Sequence, residues 1–341
     1  MDGNFMHSKV KDKDGFGLTA GYGYTPSKNF YSGIGIKYYD ERLDLNDMGY
    51  LILNDRFMFN GRTQFKRTTF QEGSVLRSRL FEIGYGSKFN VDSERESSNF
   101  ALKLENNFVN LSEIKAEVFY RSTGRNTRIT RGSKFAPFIK MPKGMGGYID
   151  FTGPRRPTYV YGLRFERGRG SEHSPELGWG TKSRGYLKYM PTDTLSFSLT
   201  YQHQRENEWL NWYGDNLLAT FKRKQRTSVV EMEWFRNNIH ELRIKAQMVA
   251  FTGREPQSFL GDLSGNLNPE DIYIPPITIS ELAFQVRYRY EIMPLSYLYL
   301  VYSKGGRISL QDEEDDLFSL YRRPWNSPEK ENFTVKLRYR F

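Results

Sequence analysis

With 341 residues and no cysteine, the chain has room for one large domain or two ordinary ones and can carry neither disulfides nor thiolate chemistry. Aromatics make up 16% of a composition that is only 38% hydrophobic, so tyrosine and phenylalanine take the place that aliphatic residues hold in an ordinary soluble core. The formal charge of +10 permits an anionic partner without choosing one, and no apolar run approaches the roughly 18 residues of a spanning helix.

The start, MDGNFMHSKVKDKDG, has no apolar core of a secretory signal. Alternation then sets in: Phe16, Leu18, Ala20, Tyr22 and Tyr24 share one side, and Gly17, Thr19, Gly21 and Gly23 the other. Asn60–Gly61 reads as a tight hairpin turn. Leu102 and Leu104, then Ile114, Ala116, Val118 and Tyr120, repeat the pattern, and KGMGG (143–147) reads as a turn. Further along come Tyr159, Tyr161, Leu163 and Phe165, and then Leu195, Phe197, Leu199 and Tyr201. Leu242, Ile244, Ala246 and Met248 stand opposite Arg243, Lys245 and Gln247. Leu282, Phe284, Val286, Tyr288 and Tyr290 stand opposite Ala283, Gln285, Arg287 and Arg289. The last segment alternates Phe333, Val335, Leu337, Tyr339 and Phe341 with Asn332, Thr334, Lys336, Arg338 and Arg340.

A period of two marks strands with one apolar face. There are roughly 14 to 16 such segments, most about ten residues long, the length of a tilted strand crossing a bilayer. Short links near 152–157, 191–194, 236–239 and 291–294 alternate with long polar ones at 121–147, 168–183, 206–216, 253–277 and 303–331. A soluble sheet would put the apolar face in its core, and a membrane barrel would put it against lipid. Hairpin number, aromatic content and loop length favour the barrel, with Trp209, Trp212, Tyr213, Trp234 and Tyr321 placed for interfacial girdles. In lipid, closure is mandatory, because edge amides find no water. The predicted fold is therefore an all-β, transmembrane, antiparallel up-and-down β-barrel occupying 1–341 in a bacterial outer membrane. The final strand, with its aromatic end, resembles the carboxy-terminal signal read by the outer-membrane barrel assembly machinery.

Three stretches carry a family resemblance: WLNWYGDNLLATFKRKQ (209–225), ELAFQVRYRYEIMPLSYLYLVYSKGG (281–306) and WNSPEKENFTVKLRYRF (325–341). MGYLILND (48–55) is a weaker echo. Together they resemble the carboxy-terminal outer-membrane barrel domain of the DUF5916 family, whose members usually carry an amino-terminal module similar to a family 9 carbohydrate-binding domain. Against that pattern, the chain reads as a fragment or the trailing part of a longer protein, and its strands as not the whole wall. The resemblance supplies no reaction, substrate or catalytic residue.

Candidate chemistry is sparse. Asp312, Glu313, Glu314, Asp315 and Asp316 form an acidic run without calcium-loop spacing, read as a solvated loop. His7, His173, His203 and His240 lack ligand spacing, so neither a metal nor a cofactor is expected. The basic residues Arg243, Lys245, Arg287, Arg289, Lys336, Arg338 and Arg340 should face the lumen, bracing it against acids such as Glu241 and Glu281 or favouring anionic solutes. FKRKQR (221–226) reads as a strand nearing one rim rather than a nucleic-acid platform. The expected partners are outer-membrane lipid, lipopolysaccharide, the assembly machinery and periplasmic or outer-membrane subunits, with no nucleic acid. The expected role is a transport channel or a scaffold in an outer-membrane complex. The alternative is a barrel enzyme acting on lipid or glycan with a loop-built site.

Overall fold

The structure is a computed structural model describing residues 2–10, 13–44, 55–90, 94–131, 133–169, 177–311 and 316–340. The first half holds β1 (Asp2–Val10), β2 (Lys13–Ser27), β3 (Phe30–Tyr39), β4 (Arg56–Arg67), β5 (Leu76–Phe89), β6 (Arg95–Phe108) and β7 (Glu113–Arg121). Two short strands, β8 (Gly124–Asn126) and β9 (Ile139–Met141), form a separate ribbon. Then follow β10 (Gly144–Thr152), β11 (Tyr159–Arg169), β12 (Trp179–Thr192), β13 (Leu195–Gly214), β14 (Leu217–Arg236) and β15 (His240–Gly261). After the short β16 (Leu267–Glu270) come β17 (Ile277–Met293), β18 (Ser296–Leu310), helix α1 (Leu317–Asn326) and β19 (Lys330–Arg338).

Seventeen strands share one sheet. Setting aside β8, β9 and β16 among the nineteen leaves sixteen strands, each antiparallel to the one before it. The pairing runs from β1 through to β19, and among the described residues no register joins β19 back to β1.

Reading across the strands shows how polarity is sorted. One rung passes through Tyr31, Gln64, Glu82, Lys103, Glu117, Tyr148, Glu166, Lys182, Gln204 and Gln225. A rung on the opposite face passes through Phe30, Phe65, Phe81, Leu104, Ala116, Ile149 and Phe165. Farther along that face, Tyr161, Leu187, Leu199, Val230, Ala246 and Phe284 continue the apolar surface. The apolar face is the exposed one, with Leu163 62%, Ile149 59% and Val118 58% accessible. Below, the apolar face is called outward and the polar face inward. Aromatic neighbours reinforce the outward rungs, as with Phe30 and Phe65, whose rings meet edge-on at 5.3 Å.

The two ends of the sheet differ. Links 28–29, 193–194, 237–239 and 294–295 lie at one end, together with the longer 68–75 and both chain termini, and the strand ends that flank 40–55, 122–143, 170–178, 262–276 and 311–329 lie at the other, together with the short link 215–216. At the short-link end, Asn237 and Asn238 take φ of 51° and 57°, and the Ile239 N–H donates to the Arg236 carbonyl at 3.1 Å. Two left-handed residues in succession make a turn whose twist matches the strands, and asparagine tolerates that conformation.

Several sequence expectations are corrected. Asn60–Gly61 lies inside β4, where Asn60 pairs with Gly35 on one side and Gly86 on the other; strand pairing overrides the local turn preference. Gly146 and Gly147 lie inside β10, and a Cβ on Gly146 would sit 2.6 Å from the Gly168 Cα and 2.7 Å from the Phe119 ring. These glycines serve close strand approach, not a turn. The segments read as loops from 206 and from 253 are largely strand, since β13 and β14 run 20 residues and β15 runs 22. Asp312 through Asp315, His173, most of 48–55 and Phe341 lie outside the described residues.

Candidate functional site: the polar face and the packed strand tips

Six of the seven predicted basic positions, Arg243, Lys245, Arg287, Arg289, Lys336 and Arg338, fall on the polar face of the sheet, and Arg340 lies beyond the end of β19. Arg243 faces Glu233 and Arg287, Lys245 faces Glu231 and Gln285, and Arg289 faces Glu241 and Tyr299. Lys336 and Arg338 face Tyr299 and Tyr297, and the Arg340 N–H donates to the Ser296 hydroxyl at 3.0 Å. Glu241 binds two of them, accepting from Arg243 Nε at 2.5 Å and lying 3.0 Å from Arg289 Nε. Lys245 pairs with Glu231 at 2.7 Å. The guanidiniums of Arg287 and Arg289 lie over the rings of Tyr299 and Tyr297, at 5.6 and 5.2 Å. Glu281 pairs instead with Arg307, at 3.3 Å, so it is not a partner of the predicted row. Of the assembly-signal strand, Phe333, Val335 and Leu337 are exposed on the outward side, and Tyr339, beyond the end of β19, is exposed too.

Sequence reasoning missed the most buried pair. Glu206 is 2% exposed and accepts from Arg223 Nη1 at 3.3 and 3.2 Å and from the Gln204 side chain. Arg223 in turn lies over Trp209 and Phe251, at 5.3 and 5.2 Å. The signal was FKRKQR, whose alternation sends Arg223 inward and Lys224 and Arg226 outward. Another inward pair, Arg56 with Glu96, closes at 2.9 Å. It borders a cavity of about 80 Å³, beneath segment 122–128, whose charged lining is Arg56, Lys88, Arg121, Arg125 and Arg128 with Glu96 as the one carboxylate.

The long-link end is packed. Beyond register shifts at Glu206/Trp209 and Thr220/Lys222, the tips of β13 and β14 carry an apolar cluster on each face of the sheet. Ile139, Leu210 and Leu218 make one, with Ile129, Leu177, Trp212 and Leu267 against it. Ala219, Phe221 and Ile274 make the other, with Trp209, Leu217 and Ile277. Trp209 and Trp212 therefore belong to packed tips and not to a girdle. Trp234 does sit outward near the short turns, between Leu195 and Leu242. In link 262–276, Asp262 has its pKa lowered by the backbone N–H and the side-chain amide of Asn266.

Helix α1 packs on the outward face. Asp316 caps it, accepting from the Ser319 N–H at 2.7 Å. Pro324 has no N–H to give the Leu320 carbonyl one turn back, and the Ser280 hydroxyl donates to that carbonyl instead. Tyr321 and Ser228 join their hydroxyls at 3.1 Å, and Trp325 meets Phe284 edge-on at 5.3 Å. Among the described residues no group of three His, Cys, Asp or Glu is arranged to hold a metal ion, and no helix is long and apolar enough to cross a membrane.

A seventeen-stranded antiparallel sheet with one mainly polar and one mainly apolar face defines the class. The whole chain, residues 1–341, matches the family described as "Domain of unknown function (DUF5916)", and the chain belongs to it. No curated protein matches. Among solved structures, the chain is similar to the siderophore receptor PirA from Acinetobacter baumannii, with 9% identity and a TM-score of 0.38 over 95% of this chain. The chain spans 63% of the length of that receptor.

Proposed function

We propose that the chain forms the wall of an outer-membrane β-barrel and that its charged lumen passes small polar solutes, anions foremost. The observation that carries this reading is the outward apolar face. In water, a surface that continuous would be an aggregation site; against hydrocarbon, it is the favourable arrangement. Inward ion pairs then replace an aliphatic core, and the short links and both termini belong on the periplasmic side. β1 and β19 end the sheet and, first and sixteenth in a regular alternation, run antiparallel. They can pair directly, or through an even number of further strands. Arg287, Lys336 and Arg338 on the polar face of β17 and β19 support a preference for anions.

The packed tips of β13 and β14 favour a second reading, a barrel with a shut mouth that serves as a scaffold for other subunits. Heat-modifiable gel mobility and planar-bilayer conductance on the same sample separate the two. A heat-shifted, membrane-embedded band with anion-selective conductance supports the channel, and such a band without conductance supports the scaffold. A chain that stays in water without detergent and shows no shift contradicts both.

A further inference from the structure

The link between β7 and β10 does not follow the end of the sheet. Its ribbon sets Arg125 directly opposite Lys140, about 5 Å apart, and the two side chains reach different parts of the wall. Arg125 pairs with Glu94, immediately before β6. Lys140 donates from Nζ to the Asn266 side chain at 2.9 Å and from its backbone N–H to the Gly265 carbonyl at 2.8 Å, in the link between β15 and β17. β7 and β10 to β14 stand between those two places, about 34 Å along the sheet at ordinary strand spacing. One arginine, the ribbon and one lysine span about 20 Å. The sheet is therefore curved, and the ribbon lies on a chord of it. The two fastenings differ. Gly124 roots the ribbon at β6, so close that a Cβ would meet the Glu96 backbone. On the far side Ile139 is buried against Leu210 and Leu218, Ala136 lies against Gly261, and the Phe138 ring fills the place of a Cβ on Gly265.

We propose that the β8–β9 ribbon is the gate of the lumen, a strap that shuts it while seated on the tips of β13 to β15 and opens it when that far seam releases. The inference rests on the barrel reading, in which a chord at the long-link end crosses the mouth. Three features suit a moving part. Arg121 pairs with Gly144, so β7 and β10 join without the ribbon and its movement breaks no pairing of the wall. The far seam is made of apolar contacts and of hydrogen bonds to a neutral amide and a carbonyl, each bond of modest net strength in water. The turn that receives Lys140 is preformed, because Asp262 accepts from the Asn266 N–H at 2.8 Å and from its side-chain amide at 2.9 Å. The ribbon thus leaves and regains a fixed seat.

The test is planar-bilayer conductance of the full chain in potassium chloride, with heat-modifiable mobility as the check that each sample is folded. Two variants act in opposite directions. In the first, residues 122–143 are replaced by Asn-Gly, a two-residue turn that suits the Arg121–Gly144 pair. In the second, Ala136→Cys with Gly261→Cys, a disulfide locks the ribbon on its seat. A Cβ on Gly261 would stand 2.8 Å from that of Ala136, so a small shift of the ribbon sets the pair for bridging, and the chain has no other cysteine to interfere. Wild type should conduct in brief openings. The replacement should raise the mean current at least about tenfold, the population shift that one net hydrogen bond can hold. The oxidised pair should be silent, and dithiothreitol should restore the wild-type openings. Equal mean current from wild type and the folded replacement would overturn the gate and leave the barrel reading intact. So would an oxidised pair that conducts like its reduced form. A chain that never enters detergent or membrane would overturn both.

Discussion

At the scale of single residues, the inward face is held by carboxylates whose value depends on how far they are buried. Glu241 is 7% exposed and serves two guanidiniums that keep some water. Glu241→Leu leaves Arg289 without its anion and Arg243 with only Glu233, at 3.8 Å, and should cost about 3 kcal/mol, the low end for a broken buried pair, read as a fall in the urea midpoint of the folded chain in detergent. Glu231 is 40% exposed and its partner Lys245 55%. Glu231→Gln should therefore cost less than about 1 kcal/mol in the same assay; equal losses at both sites would contradict the burial argument. Asp262 offers a pH test. Its pKa is lowered in the folded chain by hydrogen bonds from Asn266. The turn thus gains stability above the ordinary carboxylate range and loses it as pH falls through the lowered value. Amide exchange in 262–276 should quicken in acid, and Asp262→Asn should remove most of that dependence.

At the scale of elements, β11 and α1 make opposite demands on a reader of sequence. β11 was legible because alternation is a local property: Tyr159, Leu163 and Phe165 announce a two-faced strand whichever environment takes which face. Leu163→Arg separates the environments. In water, a change at a residue 62% exposed would stay within about 0.5 kcal/mol. Against lipid it should cost about 2–4 kcal/mol, seen as a lower unfolding midpoint in bilayers. α1 was not legible, because ten residues with an internal proline give a weak helical pattern and depend on the sheet for their bonds. The Ser280–Leu320 contact makes that dependence measurable. Ser280→Ala should cost about 1–3 kcal/mol by stranding the Leu320 carbonyl. In a Pro324→Ala background, where residue 324 regains an N–H for that carbonyl, the cost should fall below about 0.5 kcal/mol. Additive effects in this double-mutant cycle would refute the compensation.

At the scale of the whole molecule, sixteen consecutive antiparallel strands fall in the range that the alternation gave, and the chain's membership of the DUF5916 family was legible in the stretches 209–225, 281–306 and 325–341. The inward placement of Arg287 and Lys336 followed from period two alone. The identity of their partners did not, since Glu281 and Arg307 meet only through the register of β17 on β18. Register across long links is a non-local property. The same holds for Glu206 and Arg223, which a bulge on β13 brings beside the packed tips. Strand ends were misjudged for a related reason: polar residues continue β13 and β15 far beyond the apolar rows, so hydropathy stops before the ladder does.

The central claim is that the exposed apolar face lies against lipid, and the absence of cysteine makes it open to a clean test. Single cysteines placed at each position of 159–169 would carry an environment-sensitive fluorophore, with the chain reconstituted in liposomes containing a lipid-borne quencher. The account predicts an alternating profile, with odd positions from 159 to 165 blue-shifted and quenched from the lipid, even positions quenched only from water, and 167 returning to water. A profile with no alternation, or one in which even positions meet the lipid, would contradict it.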